Sequence, residues 1–152
     1  MTALLIVSLD EVSLALPVAQ VIEVVRAVAI TPVPGCPDVV EGVVNVRGEP
    51  LPAYDLRGRF GLARRAVHRD DHLVIVDVGA RGSAVVRVNR AHELRDIAPE
   101  LVAGATSSTD PLIRGLARLH DGLLVVCDLA AFLTDLEAER TAHAIATRQE
   151  TT

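Results

Sequence analysis

The sequence predicts an all-β protein built from two similar units, and three observations support this prediction. Half of the 152 residues are apolar and only 2% are aromatic, so Val, Leu, Ile and Ala must fill the interior. The branched side chains of Val and Ile favour strands. Short apolar runs recur along the chain, with Gly, Pro or Asp in most of the gaps. The apolar pattern of the first half also returns in the second half.

Nine apolar runs have the length expected of strands. They cover residues 4–9, 12–16, 22–28, 42–46, 51–54, 72–78, 83–88, 114–119 and 123–127. Short strands at such close spacing are typical of small β-barrels. Helical periodicity is confined to the end of the chain, where Asp128 can cap a helix. We predict this helix over about 128–146, with an apolar face of Leu129, Phe132, Leu133 and Leu136. From Glu137 onward the chain is polar, and we expect it to fray.

The repeat emerges when the chain is aligned with itself. A shift of 70 residues pairs residues 4–6 with 74–76 and residues 21–24 with 91–94. A shift of 73 residues pairs residues 42–56 with 115–129. Few of the paired residues are identical, but the apolar pattern and the Gly and Asp punctuation persist. We predict two homologous β units that fold as one body, because neither is large enough to bury much apolar surface alone.

Composition argues against nucleic-acid and membrane partners. The net charge is −5, and without a basic stripe or stacking aromatic residues we expect no nucleic-acid binding. The longest apolar runs are far shorter than the roughly 20 residues of a bilayer span, so we expect no membrane insertion. The N-terminus does not resemble a signal peptide. Cys36 and Cys127 are far apart in the chain and form no CxxC motif, which is typical of a reduced, cytoplasmic protein.

The sequence contains no recognisable catalytic constellation. Its one cluster of potential metal ligands comprises His68, Asp70, Asp71 and His72. These side chains could hold a cation, but a polar loop between the two halves is the favoured interpretation. No nucleophile, base and oxyanion site can be assembled from the remaining residues. We therefore expect no enzymatic activity, no metal and no cofactor.

The segment from Thr31 to Phe60 has a recognisable order of motifs, TPVPGCPDVVEGVVNVRGEPLPAYDLRGRF. It resembles the CheW family of bacterial chemosensory coupling proteins. Upstream, ALPVAQVIEVV is similar to a family segment in the same register, and IRGLARLHDGLLVVCDLAAFL is similar to the closing strand pair and helix. The resemblance runs from about Leu4 to Leu133 and is more specific in the first half.

The resemblance implies two intertwined five-stranded SH3-like barrels with a C-terminal helix, within one domain over residues 1–152. We place subdomain 1 at roughly 10–70, and subdomain 2 at roughly 71–128 together with the N-terminal strand 3–9. It also implies a cytoplasmic adaptor that joins the regulatory domain of a CheA-type histidine kinase to the cytoplasmic tips of chemoreceptors. One alternative is a diverged adaptor or inhibitor that binds only one of these partners. An unrelated enzyme on a small β-barrel is a more distant alternative.

Two residues of the second half depart from the family pattern. Arg87 interrupts a strand that would normally be apolar, and Asn89 stands where the family usually has an acidic residue. Such changes fit a paralogue that serves a non-standard chemosensory array.

Seven residues are predicted to bind partners: Val21, Glu23, Val24, Asn45, Arg47, Val86 and Val88. The four valines, two assigned to each unit, could line grooves, although each could instead be core. Asn45 and Arg47 belong to the motif before Gly48, which supplies the bend of a hairpin. A carboxylate inside an apolar strand is costly when unpaired, so we predict a salt bridge between Glu23 and Arg47. Two independently solvated charges are the alternative.

Overall fold

The computed structural model describes residues 2–79, 82–98, 102–104, 112–119, 122–129 and 141–146. Eleven strands lie within this part of the chain: β1 (Thr2–Leu9), β2 (Val12–Pro17), β3 (Val21–Arg26), β4 (Val40–Val46), β5 (Glu49–Asp55), β6 (His72–Asp77), β7 (Ser83–Val88), β8 (Arg90–Ile97), β9 (Val102–Gly104), β10 (Ile113–Leu119) and β11 (Gly122–Cys127). Short 3-10 turns follow β2 at Val18–Gln20 and β5 at Arg57–Phe60. All nine predicted strands are present.

Strands β8 and β9 were not predicted. β8 has the sequence RAHELRDI, and its side chains are mostly exposed. It lies at the edge of its sheet, so it lacks the apolar alternation by which strands are recognised. A polar edge strand of this kind cannot be distinguished from a loop by its apolar pattern.

A helix, α1, covers residues 141–146, inside the predicted C-terminal helix. Thr141 and Ala144 are buried, and Ala144 lies close to Gly35. Residues 141–146 are therefore helical and packed, although the polar sequence from Glu137 onward predicted fraying. The predicted apolar face of Phe132, Leu133 and Leu136 lies outside the described residues.

The strands form two sheets that share the same arrangement of five strands, and the second sheet has β9 as a sixth. The first sheet has the order β3-β6-β7-β5-β4, and the second has the order β8-β1-β2-β11-β10-β9. Each sheet contains one parallel pair, β5 with β7 and β11 with β2. Each is also bulged just before a glycine, Gly42 in β4 and Gly115 in β10. The predicted duplication is therefore present in the fold.

The two units are intertwined because the chain passes between the sheets twice. β1 and β2 join the second sheet, residues 21–88 supply the whole first sheet, and β8 returns to the second. The predicted division into 10–70 and 71–128 plus 3–9 does not match this sheet membership. β6 and β7 complete the first sheet through long-range pairing, which a sequence repeat alone does not specify.

Three apolar clusters lie within the part of the chain that the structure describes. One lies within the second sheet and one within the first, and the largest, which we call the inter-sheet core, takes side chains from both sheets. In β6, Val74 and Val76 face the inter-sheet core, whereas Leu73 and Ile75 face the interior of the first sheet. Central strands are thus buried on both faces, which explains their continuous apolar sequence.

The register of β1 corrects one part of the predicted repeat. Leu5 and Val7 face the inter-sheet core, as Val74 and Val76 do in β6. Residues 5–7 are therefore equivalent to 74–76, and the predicted pairing of residues 4–6 was wrong by one position. A slip of one residue exchanges the two faces of a strand, and a strand that is apolar on both faces hides such a slip.

Candidate partner-binding surface

The two edges of the first sheet differ in how far they are covered. Next to β4, Thr31 pairs with Val43 through two backbone hydrogen bonds of 2.9 and 2.8 Å. Gly42 permits this approach, because a Cβ atom there would lie 2.1 Å from the Thr31 carbonyl oxygen. At the opposite edge, β3 pairs with β6 on one side. Within the described ranges no strand pairs with the outer edge of β3, and we treat it as the candidate edge for a partner.

A β-bulge in β3 changes the side of the sheet on which the following side chains lie. Its register to β6 shifts between Val21 and Glu23, which makes Ile22 the extra residue. Val21 lies opposite Val76, and Val24 lies opposite Val74. Both partners belong to the inter-sheet core, so Val21 and Val24 lie on the same side although they are three residues apart.

Val21 and Val24 form the open margin of the inter-sheet core. Val21 is half-buried and packs against the core, whereas Val24 is 38% exposed. Ile22 beside them is 55% exposed. Contiguous exposed apolar side chains of this kind mark interaction sites more often than isolated ones do.

The turn between β4 and β5 has unusual backbone geometry. Val46 pairs with Glu49, so Arg47 and Gly48 form a two-residue loop, and their φ angles are 51° and 86°. Two positive φ angles characterise the type I′ turn, which favours Asn or Gly over Arg. The side-chain oxygen of Asn45 accepts the Gly48 N–H at 2.8 Å and so holds the turn. The backbone alone gives no reason for an arginine at this position.

The predicted salt bridge between Glu23 and Arg47 is present. Arg47 Nη2 lies 2.6 Å from Glu23 Oε2, and the two side chains are 73% and 36% exposed. The contact joins β3 to the turn that follows β4. Because β3 and β4 are at opposite ends of the strand order, the salt bridge connects the two edges of the first sheet. An exposed pair contributes only about 0–1 kcal/mol, so stability does not explain it. Most of the Arg47 side chain is thus exposed to solvent.

Val86 and Val88 do not belong to this surface. They are 0% and 1% exposed and lie in the inter-sheet core. Their strand, β7, lies between β6 and β5 in the first sheet, so both of its edges are paired, and its alternate residue Val85 is buried on the other face. The prediction that these two valines line a groove was wrong, and the alternative that they are core residues is correct.

Arg87 is the centre of a buried ionic cluster that the sequence did not predict. It is 2% exposed, and its Nε donates to both carboxylate oxygens of Glu41, at 3.1 and 2.9 Å. Its Nη1 donates to Asp71 Oδ2 at 2.9 Å, and its Nη2 lies 3.4 Å from Asp55 Oδ2. Burial by itself lowers the pKa of Arg87, but the hydrogen bond and charge of Glu41, with help from Asp71 and Asp55, raise this pKa above its ordinary value.

A second cluster surrounds Arg57, which is also 2% exposed. Its Nη1 lies 2.8 Å from Asp10 Oδ2, and its Nη2 donates to the side-chain oxygen of Asn89. The hydrogen bond from Arg57 is the main cause that holds the pKa of Asp10 below its ordinary value. Asn89 also bonds Asp10 directly. Of the two residues that depart from the family pattern, Arg87 is buried, and the half-buried Asn89 forms hydrogen bonds with Arg57 and Asp10.

The HRDDH segment has a structural role. Asp71 is buried and accepts hydrogen bonds from Arg87, from Arg65 and from the backbone of His68. His72 Nδ1 accepts the Ala91 N–H at 2.8 Å, which links β6 of the first sheet to β8 of the second. Across the described ranges, no three His, Cys, Asp or Glu residues are grouped so that they could hold a metal ion.

The doubled sheet fold, its open apolar edge strand and its ion-paired turn define a protein-recognition module. Among the described residues, no helix has the length and apolar character needed to span a bilayer.

Comparison with known proteins identifies the family. The CheW-like domain model matches residues 3–137. The chain is 27% identical to chemotaxis protein CheW of Helicobacter pylori over 114 residues, which are 74% of this chain and 69% of that protein. It is 29% identical to CheW of Klebsiella aerogenes over 115 residues, or 71% and 67% of the two chains. The crystal structure of the scaffolding protein TtCheW from Thermoanaerobacter tengcongensis matches with a TM-score of 0.75 and 29% identity, over 83% of this chain and 88% of that one.

The chain belongs to the CheW family of chemotaxis adaptor proteins, which are non-catalytic scaffolds. The structural match also confirms the predicted pair of SH3-like barrels.

Proposed function

We propose that this protein is a non-catalytic adaptor that couples the cytoplasmic tips of chemoreceptors to a CheA-type histidine kinase. It would act in the cytoplasm, at membrane-associated receptor arrays, and bind the regulatory domain of the kinase. The observation that carries this proposal is the open margin of β3. There Val21 and Val24 lie beside the salt bridge of Glu23 and Arg47, within the motifs on which the family resemblance depends.

The receptor is the partner that we assign to β3. An apolar margin flanked by a charged pair suits an amphipathic partner, because apolar area supplies affinity and rim charges fix orientation. The donors of Arg47 that Glu23 leaves open can meet a carboxylate or a backbone carbonyl of the receptor. Val86 and Val88 are excluded from this assignment by their burial.

The alternative is an adaptor that binds only one partner, and it was suggested by the divergence at Arg87 and Asn89. Arg87 is buried among carboxylates, and the Asn89 side chain bonds Arg57 and Asp10. Because both side chains have partners within the protein, their divergence does not require the loss of a binding partner. This placement favours an adaptor that retains both partners.

Separate binding measurements distinguish the two proposals. The protein would be immobilised and titrated with the kinase regulatory domain, and then with a receptor cytoplasmic fragment, both from the same organism. Binding of both supports the coupling adaptor. Binding of one alone supports the single-partner alternative, and binding of neither contradicts both proposals.

A further inference from the structure

A pocket of about 310 Å³ lies between the two sheets, where β3 ends and β8 begins. It is lined by Arg26, Arg69, Asp70, His72, Arg90 and Ala91. Arg26 is the last residue of β3, and Arg90 is the first residue of β8, so the arginines come from edge strands of different sheets.

The positive charge of this pocket is not balanced within the described part of the chain. Arg26, Arg69 and Arg90 are exposed, and none of the three has an ion pair or side-chain hydrogen bond there. The pocket's one carboxylate, Asp70, lies 3.5 Å from His68 Nδ1. In a chain of net charge −5, three unpartnered arginines at one pocket form a local site for an anion.

His72 adds a hydrogen-bond donor to the pocket. Its Nδ1 accepts the Ala91 N–H, so the neutral ring carries its proton on Nε2. The same hydrogen bond fixes β6 against β8, and it therefore holds the two walls of the pocket together. Arg26, His72 and Arg90 thus belong to strands, whereas Arg69 belongs to the loop before β6.

We propose that the pocket formed by Arg26, Arg69, Arg90 and His72 binds a carboxylate-bearing segment of the receptor that docks on β3. This inference rests on the proposed function. Arg26 follows Val24 by two residues on the same open strand, a distance of roughly 7 Å at the rise of a β-strand. A receptor segment lying along Val21 and Val24 would therefore reach the pocket, where the arginine forks would bind its acidic side chains.

Charge reversal at two walls of the pocket tests the proposal. Arg26→Glu and Arg90→Glu would be compared with Arg118→Glu. Arg118 is also exposed, has no partner among the described residues, and lies on β10 of the second sheet. The affinity for a receptor cytoplasmic fragment would be measured between about 50 and about 300 mM NaCl, with thermal melting as a check on folding.

Each pocket variant is expected to weaken binding about tenfold or more at low salt and to flatten the salt dependence. Arg118→Glu is expected to change neither. If both pocket variants bind with the wild-type affinity and salt dependence, the pocket has no role in receptor binding. If the wild-type protein does not bind the receptor fragment, the proposed function fails and the pocket inference with it. If Arg26→Glu abolishes binding to phosphatidylserine vesicles but not to the receptor, the pocket recognises a membrane surface and the proposal is overturned.

Discussion

Arg47 Nη2 lies 2.6 Å from Glu23 Oε2 and joins the open edge strand β3 to the turn between β4 and β5. Both Arg47 and Gly48 have positive φ angles in that turn, a conformation that suits Asn better than Arg. The arginine therefore occupies a position that the backbone does not favour for it, and its side chain must supply the reason.

Arg47→Asn removes the guanidinium charge and keeps a residue that suits the turn, so it tests the charge alone. Because Asn tolerates a positive φ angle, we expect the melting temperature to stay the same or to rise slightly. We expect receptor affinity to fall about tenfold, since the guanidinium and the orientation of Glu23 are both lost. Calorimetry and binding titration check the two halves of the prediction. Wild-type affinity in this variant would show that Arg47 has no role in binding.

Val24→Asp tests the apolar margin of the inter-sheet core. Val24 is 38% exposed, so a carboxylate there can remain solvated, and we expect the free energy of unfolding to change by less than about 1 kcal/mol. Binding to the receptor fragment should be lost. Leu123→Asp is the matched control, because Leu123 is 54% exposed on the second sheet. Equal loss of binding in both variants would contradict the assignment to β3.

Val21→Asp is a less selective variant. Val21 is half-buried against the inter-sheet core, so the substitution should lower both stability and receptor binding. Denaturant titration would show how much of its effect on binding arises from misfolding. If this variant is as stable as the wild type and binds normally, Val21 belongs neither to the core margin nor to the partner surface.

Arg87→Ala tests the buried ionic cluster. The substitution leaves Glu41, Asp55 and Asp71 without their shared cation, so we expect a loss of about 3–5 kcal/mol in the free energy of unfolding. Urea denaturation measures this loss, and Arg114→Ala at an exposed position is the control. A loss below about 1 kcal/mol would mean that the cluster contributes little beyond a surface pair.

The lowered pKa of Asp10 predicts that the stability of the protein depends on pH in the acid range. Its pKa is lower in the folded protein than its ordinary value of 3.8, chiefly because Arg57 donates to it. Its contribution to stability is therefore present above the ordinary pKa and is lost as the pH falls through the folded pKa. Asp10→Asn, which suits the positive φ of 52°, should be less stable than the wild type at pH near 6, and the difference should shrink towards pH 3. A difference that does not change with pH would contradict this cause.

Local patterns in the sequence predicted the strands, the duplication and the salt bridge. Glu23 signalled a partner because it interrupts an apolar strand, and the hairpin motif put Arg47 at a turn tip. The central or edge position of a strand depends on long-range pairing, so the sequence did not distinguish buried Val86 from half-exposed Val24. The Arg87 cluster joins strands β4, β5 and β7 and residue Asp71, and no local pattern brings these together. The one indication of this cluster in the sequence was the position of Arg87 within an apolar run.

Formation of a ternary complex tests the central claim most directly. The protein would be mixed with a CheA-type kinase regulatory domain and a receptor cytoplasmic fragment, and the mixture would be resolved by analytical ultracentrifugation. For a coupling adaptor we expect one species that contains all three chains, and we expect the kinase domain and the receptor fragment to sediment separately when this protein is omitted. Two mutually exclusive binary complexes, or a complex with one partner alone, would contradict the claim.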